Sequence, residues 1–74
     1  MNKNGQNPLR HVFGENMLKQ RIRLNISQEE LSFRSGLHRN YVSDVERGTR
    51  NVSIAAMEKI AKGLDVELYT LLKK

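Results

Sequence analysis

The side chains of this 74-residue chain best equipped for chemistry stand in one short stretch, HRNYVSDVERGTRN, residues 38–51. Arg39, Arg47 and Arg50 bring guanidinium groups, Asn40 and Asn51 bring amides, and Tyr41 and Ser43 bring hydroxyls. Val42 and Val45 run between them as an apolar spine. These polar groups donate and accept hydrogen bonds. The chemistry they support is recognition. A solvated helix surface usually mixes Lys and Glu; guanidinium, amide and hydroxyl groups gathered on one side suit a surface that reads another molecule. At helical spacing Arg39, Asn40, Ser43 and Asp44 fall on one open face, with Arg47 a turn beyond.

Such a face must be carried by other elements, and the rest of the sequence lays them out. Residues 1–8, MNKNGQNP, are polar and interrupted by Gly5 and Pro8, so a flexible leader is expected ahead of a single domain over 9–74. From Leu9 to Leu24, Phe13, Met17 and Leu24 recur at helical spacing with Arg21 on the same stripe. Gly14 inside that helix costs about 1 kcal/mol relative to alanine, and Asn25 is suited to end it in a left-handed turn. Ser27-Gln28-Glu29-Glu30 reads as a capping box opening a second helix to about Ser35. Gly36 supplies the reversal and Leu37 turns inward. A third helix spans about Arg39 to Arg47, where Gly48 stops it. Ser53 caps a fourth, with Ile54, Met57, Ile60, Ala61 and Leu64 as its apolar face. Asp65 starts a turn, and VELYTLLKK forms a short fifth helix. No segment reads as a strand. The expected fold is all-α, a compact domain of five helices.

The arithmetic of residues 28–47 is specific. Ser32 is small enough to let two helices approach, Gly36 permits a tight turn, and Leu31, Leu37, Val42 and Val45 lock both helices to one core. The third helix then protrudes with short polar side chains at its leading end, a shape that the DNA major groove admits. The run SQEELSFRSGLHRNYVSDVERGTRNVS resembles the helix-turn-helix of the lambda and Cro-type repressors, with Gln28, Leu31, Gly36, Val42, Glu46 and Gly48 matching together. Within that group, RNYVSDVERGTRN is similar to the controller proteins of restriction–modification systems. The resemblance covers residues 13–72.

The resemblance implies a lambda repressor-like fold and roles position by position. Gln28 would bond a phosphate and brace the third helix. Arg39 and Asn40 would meet base edges, arginine gripping guanine at O6 and N7 and asparagine pairing with adenine at N6 and N7. Ser43 would add a base or phosphate contact, and Asp44 would either select a cytosine amine or point away. Tyr41, Arg47, Arg50 and Asn51 would set the register on the DNA backbone, although Tyr41 could instead pack on the turn and Arg47 answer the helix dipole. Arg21 and Glu46 match a structural ion pair. His38 stands where Ser, Thr or Asp often caps the third helix, so a weaker cap is expected.

Composition bounds the alternatives. Hydrophobic residues make up 38% and charged ones 28%, as in a globular chain, and the net charge is +5. Residues 1–52 hold nine basic groups against five acids, while residues 53–74 hold four against three. The basic front attracts polyanions. There is no cysteine, and His11 and His38 lack companion acids or thiols, so no metal or cofactor is expected. Glu29 and Glu30 face different ways on a helix, so no enzyme is expected either. No membrane span, signal peptide or small-molecule effector site is apparent, and a cytoplasmic setting follows, on the nucleoid of a bacterium or phage-infected cell. The terminal segment, with Val66, Leu68, Tyr69, Leu71 and Leu72, serves either as a lid on the monomer or as a homodimer interface. Dimerisation is the favoured reading, and it places two reading helices on an inverted-repeat operator in double-stranded DNA. The rivals are a protein-interaction or antitoxin module on the same fold, and a single-stranded RNA binder. The second lacks an aromatic stacking platform.

Overall fold

A computed structural model describes residues 8–74. The expected leader thus lies outside the described residues, except for Pro8, which opens the first helix. The chain forms α1 (Pro8–Arg23), α2 (Gln28–Ser35), α3 (Arg39–Arg47), α4 (Ile54–Gly63) and a final 3₁₀ segment, Leu68–Leu71. Proline suits the start of α1 because the missing N–H would find no partner there and its φ is already helical. Asn25 adopts φ 60° and terminates α1 in the left-handed region, as its short polar side chain permits. The turn closes through Ile26 N–H donating to the Arg21 carbonyl at 3.2 Å.

α2 and α3 pack on one another across the turn at Gly36. The Ser27 hydroxyl accepts from the Glu30 amide at 2.9 Å. The reciprocal half of the expected capping box is not made, because the Glu30 carboxylate turns to Arg34 one helical turn on, at 2.9 Å. Gly36 holds φ 75°, and its amide donates to the Ser32 carbonyl. The Ser32 hydroxyl donates to the Leu37 carbonyl across the turn. His38 proves a working cap for α3: its imidazole Nδ1 accepts from the Asn40 amide at 3.1 Å, which a hydroxyl or carboxylate would do elsewhere. At the other end, Gly48 at φ 73° stops the helix.

Phe13, Met17, Leu31, Val42, Val45, Ile60 and Leu64 are fully buried and form the core, with Ala61 and Leu71. Every helix contributes, so none can shift alone. Two expectations are corrected here. Ile54 lies outside this core and is exposed, since the buried face of α4 runs through Ala56, Ile60, Ala61 and Gly63. The fifth helix is only a four-residue 3₁₀ segment without a side-chain cap. So short a segment gains few helical bonds, and its conformation follows Leu71 as that side chain is drawn into the core.

Gly14 acquires a reason that its sequence position did not supply. A Cβ built there lies 2.7 Å from the carbonyl oxygens of both Val45 and Glu46. α1 crosses α3 on bare backbone. Replacing Gly14 with alanine therefore lowers stability by about 1–3 kcal/mol, despite the better helix propensity, because the α3 main chain must retreat. A urea unfolding midpoint equal to or above that of the wild type would refute this.

Candidate nucleic-acid interface

α3 has a back built into the protein and a front left open. Val42 and Val45 anchor the back in the core. Beside them the Glu46 carboxylate takes three bonds: from Arg21 Nε at 2.6 Å, from a second Arg21 nitrogen at 3.2 Å, and from the Gln28 amide at 2.9 Å. Arg21 also donates to the Ile26 carbonyl at 3.0 Å. Side-chain exposure is 15% for Arg21 and 5% for Glu46, so this ion pair is largely withdrawn from water. Charge in that setting demands partners on every side, and here α1, the start of α2 and the end of α3 provide them. Gln28 is thus seen bracing α3, its amide turned inward to Glu46.

On the front, Arg39 and Asn40 are fully on the surface at the first turn of α3, and Ser43 is half-buried one turn later. Among the described residues, none of the three side chains is held by another. Asp44 differs from the expectation of a free reading group. Its Oδ1 accepts from Arg47 at 2.7 Å, and its Oδ2 lies 3.5 Å from Arg50 Nε. The carboxylate is directed along the helix toward the exit loop by these two cations. Arg50 in turn lies over the Tyr41 ring, 4.8 Å from its centre. Tyr41 therefore does pack, but as the floor of an arginine.

The exit loop Gly48–Asn51 folds back on α3. Thr49 donates to the Asp44 carbonyl through its amide at 3.1 Å and through its hydroxyl at 3.2 Å. Asn51 accepts from Arg10 at 2.7 Å, bringing the start of α1 onto the same side of the molecule. Thr49 and Arg10 were missed in the sequence reading. Arg10 is forty-one residues from its partner, and no local pattern announces the contact. His11 also abuts this loop: a Cβ on Gly48 would lie 2.7 Å from its imidazole.

The terminal segment divides. Leu71 is 2% exposed and belongs to the monomer core, so its assignment to a subunit interface is corrected: it is the lid. Val66, Leu68 and Leu72 pack against that core while remaining partly accessible, and Tyr69 is 64% exposed. Val66 and Leu68 border a groove with Ala55, Lys59 and Lys62 of α4. Among the described residues, no helix is long and apolar enough to cross a membrane, and no three His, Cys, Asp or Glu side chains cluster to hold a metal.

Comparison with known proteins agrees with this geometry. The sequence profile of the Helix-turn-helix family matches residues 17–71. Control protein C.BamHI of Bacillus amyloliquefaciens is 49% identical over 67 residues, spanning 89% of this chain and 83% of that protein. The crystal structure of the restriction-modification controller protein C.AhdI from Aeromonas hydrophila is similar at a TM-score of 0.81 and 45% identity, over 84% of this chain and 94% of the other. Controller protein C.Esp1396I, solved as a tetramer in complex with its natural 35 base-pair operator, is similar at a TM-score of 0.80 and 34% identity, over 86% of this chain and 88% of its own.

The Glu46 network is open to direct measurement. Arg21→Ala leaves a buried carboxylate with the Gln28 amide alone, and should cost about 3–5 kcal/mol in denaturant unfolding. Gln28→Ala removes one bond to a charged group and should cost about 1.5–3 kcal/mol. A loss under about 1 kcal/mol for Arg21→Ala, as is usual for surface pairs, would show that the network is not structural.

Proposed function

The chain belongs to the helix-turn-helix family, in the lambda and Cro-type group that includes the restriction–modification controller proteins, and on that footing we propose that it is a controller protein reading its operator as a homodimer. It is a sequence-specific transcriptional regulator of double-stranded DNA. The observation that carries the reading is the two-sided α3: its rear is immobilised by Val42, Val45 and Glu46, while Arg39 and Asn40 stand exposed at its leading turn. A helix so held can enter a major groove without changing its own position, so little free energy is lost to ordering on binding.

In this reading Arg39 and Asn40 contact base edges and Ser43 a base or phosphate. Arg47, Arg50, Asn51 and Tyr41 set the register on the backbone, with Arg10 joining them through Asn51. Gln28, fixed by Glu46 at the first turn of α2, is assigned a backbone phosphate contact. Asp44 is dropped as a base-reading group because its carboxylate faces the two arginines. One chain carries one reading helix, so two half-sites about 34–36 Å apart require two copies. Val66, Leu68, Tyr69 and Leu72 are the surface we assign to that pairing, without Leu71. The nucleoid of a bacterial or phage-infected cell is its place of action, and no catalytic step is assigned to it. The alternative of a protein-interaction module finds no comparable support, since the similar proteins are controller proteins, one of them solved on its operator.

Selecting bound duplexes from a random pool tests the reading. An inverted repeat should emerge, with one protein dimer per repeat in sedimentation. Arg39→Ala should then cost about 1–3 kcal/mol per half-site and relax the preference at one base position. Arg50→Ala should weaken binding across sequences, the operator included, and flatten the salt dependence by about one per subunit. Selectivity untouched by Arg39→Ala would remove α3 from the reading role.

A further inference from the structure

Asp44 is the acid on the open face of α3; the other acid of that helix, Glu46, is turned to Arg21. Its two carboxylate oxygens address two different arginines that flank the helix end, Arg47 at 2.7 Å and Arg50 at 3.5 Å. The fold has little need of these pairs. Arg47 is 63% and Arg50 49% exposed, and pairs so open to solvent contribute little to stability. The exit loop is already closed by Gly48 and Thr49 donating to main-chain carbonyls. Arg50 is further steadied by the Tyr41 ring. What the carboxylate does change is the charge that this end of the reading surface presents to a polyanion.

Resting on the duplex-binding reading above, we propose that Asp44 is a specificity-determining positioning residue: an internal counter-ion that holds Arg47 and Arg50 in place and offsets part of their charge. Two consequences separate the right DNA from the wrong. Repulsion between the carboxylate and nearby phosphates acts in every complex, whatever the sequence. Placement of the guanidinium groups helps only in the one register where Arg39 and Asn40 also find their bases. Asp44 therefore weakens indiscriminate binding fully, and weakens operator binding only in part. The residue widens the gap between them.

The experiment compares the full chain with its Asp44→Asn and Asp44→Glu variants on a selected operator duplex and on a random duplex of equal length, across a salt series. Asp44→Asn should bind the random duplex about three- to tenfold more tightly, with a log-log salt slope steeper by up to about two per dimer. Its operator affinity should rise by a smaller factor, so the specificity ratio falls, while thermal unfolding stays unchanged. Asp44→Glu, which keeps the charge, should retain the wild-type slope. An unchanged random-duplex slope in Asp44→Asn, or an equal rise on both duplexes, would overturn the proposal. Wild-type protein showing no preference for the operator would instead overturn the duplex-binding reading itself.

Discussion

Three helices of this protein meet at one carboxylate. Glu46 is withdrawn from water and accepts from Arg21 of α1 and Gln28 of α2 while belonging to α3. A buried charge is tolerable only with its partners in place, and hydrogen bonds to it are directional, so the three helices cannot rotate or slide independently. Apolar packing alone resists separation but permits adjustment. The carboxylate removes that freedom at the end of α3, the helix that presents the open polar face.

The two faces of α3 follow from this arrangement. With valines and Glu46 spent on the interior, the residues at the intervening positions have nowhere to go but outward, and these carry the guanidinium, amide and hydroxyl groups. Gly14 extends the logic to α1, whose backbone must come close enough to α3 for Arg21 to reach across. The left-handed turn at Gly48 then brings Thr49, Arg50 and Asn51 back alongside the same helix, so that α3 and its exit loop form one surface. A 74-residue chain with a core this small leaves apolar side chains at its C-terminal end partly uncovered, consistent with a second copy completing the assembly.

Much of this was legible before any coordinate. The limits of α3 and the glycines that bound α2 and α3 are local: they depend on capping, φ and the spacing of apolar residues, which a sequence displays directly. Reading went astray where a side chain had two partners to choose from. Glu30 was expected to cap its own helix and bonds Arg34 instead. Asp44 was expected on the base-reading face and is drawn to Arg47 and Arg50. Ile54 shares the helical period of Ala61 yet is exposed, while Ala56 in its own turn is buried. Periodicity states which way a residue faces along its helix, not whether another element stands opposite.

The amino-acid order by itself determined the first four helices, their turns and the types of group that α3 presents, because each of these is settled within a few residues of chain. Only the tertiary structure decided that Gly14 is a crossing point, that Leu71 seals the monomer, and that Arg10 meets Asn51 across forty-one residues. Those outcomes depend on the distance between elements remote in sequence, a quantity fixed when the whole core closes.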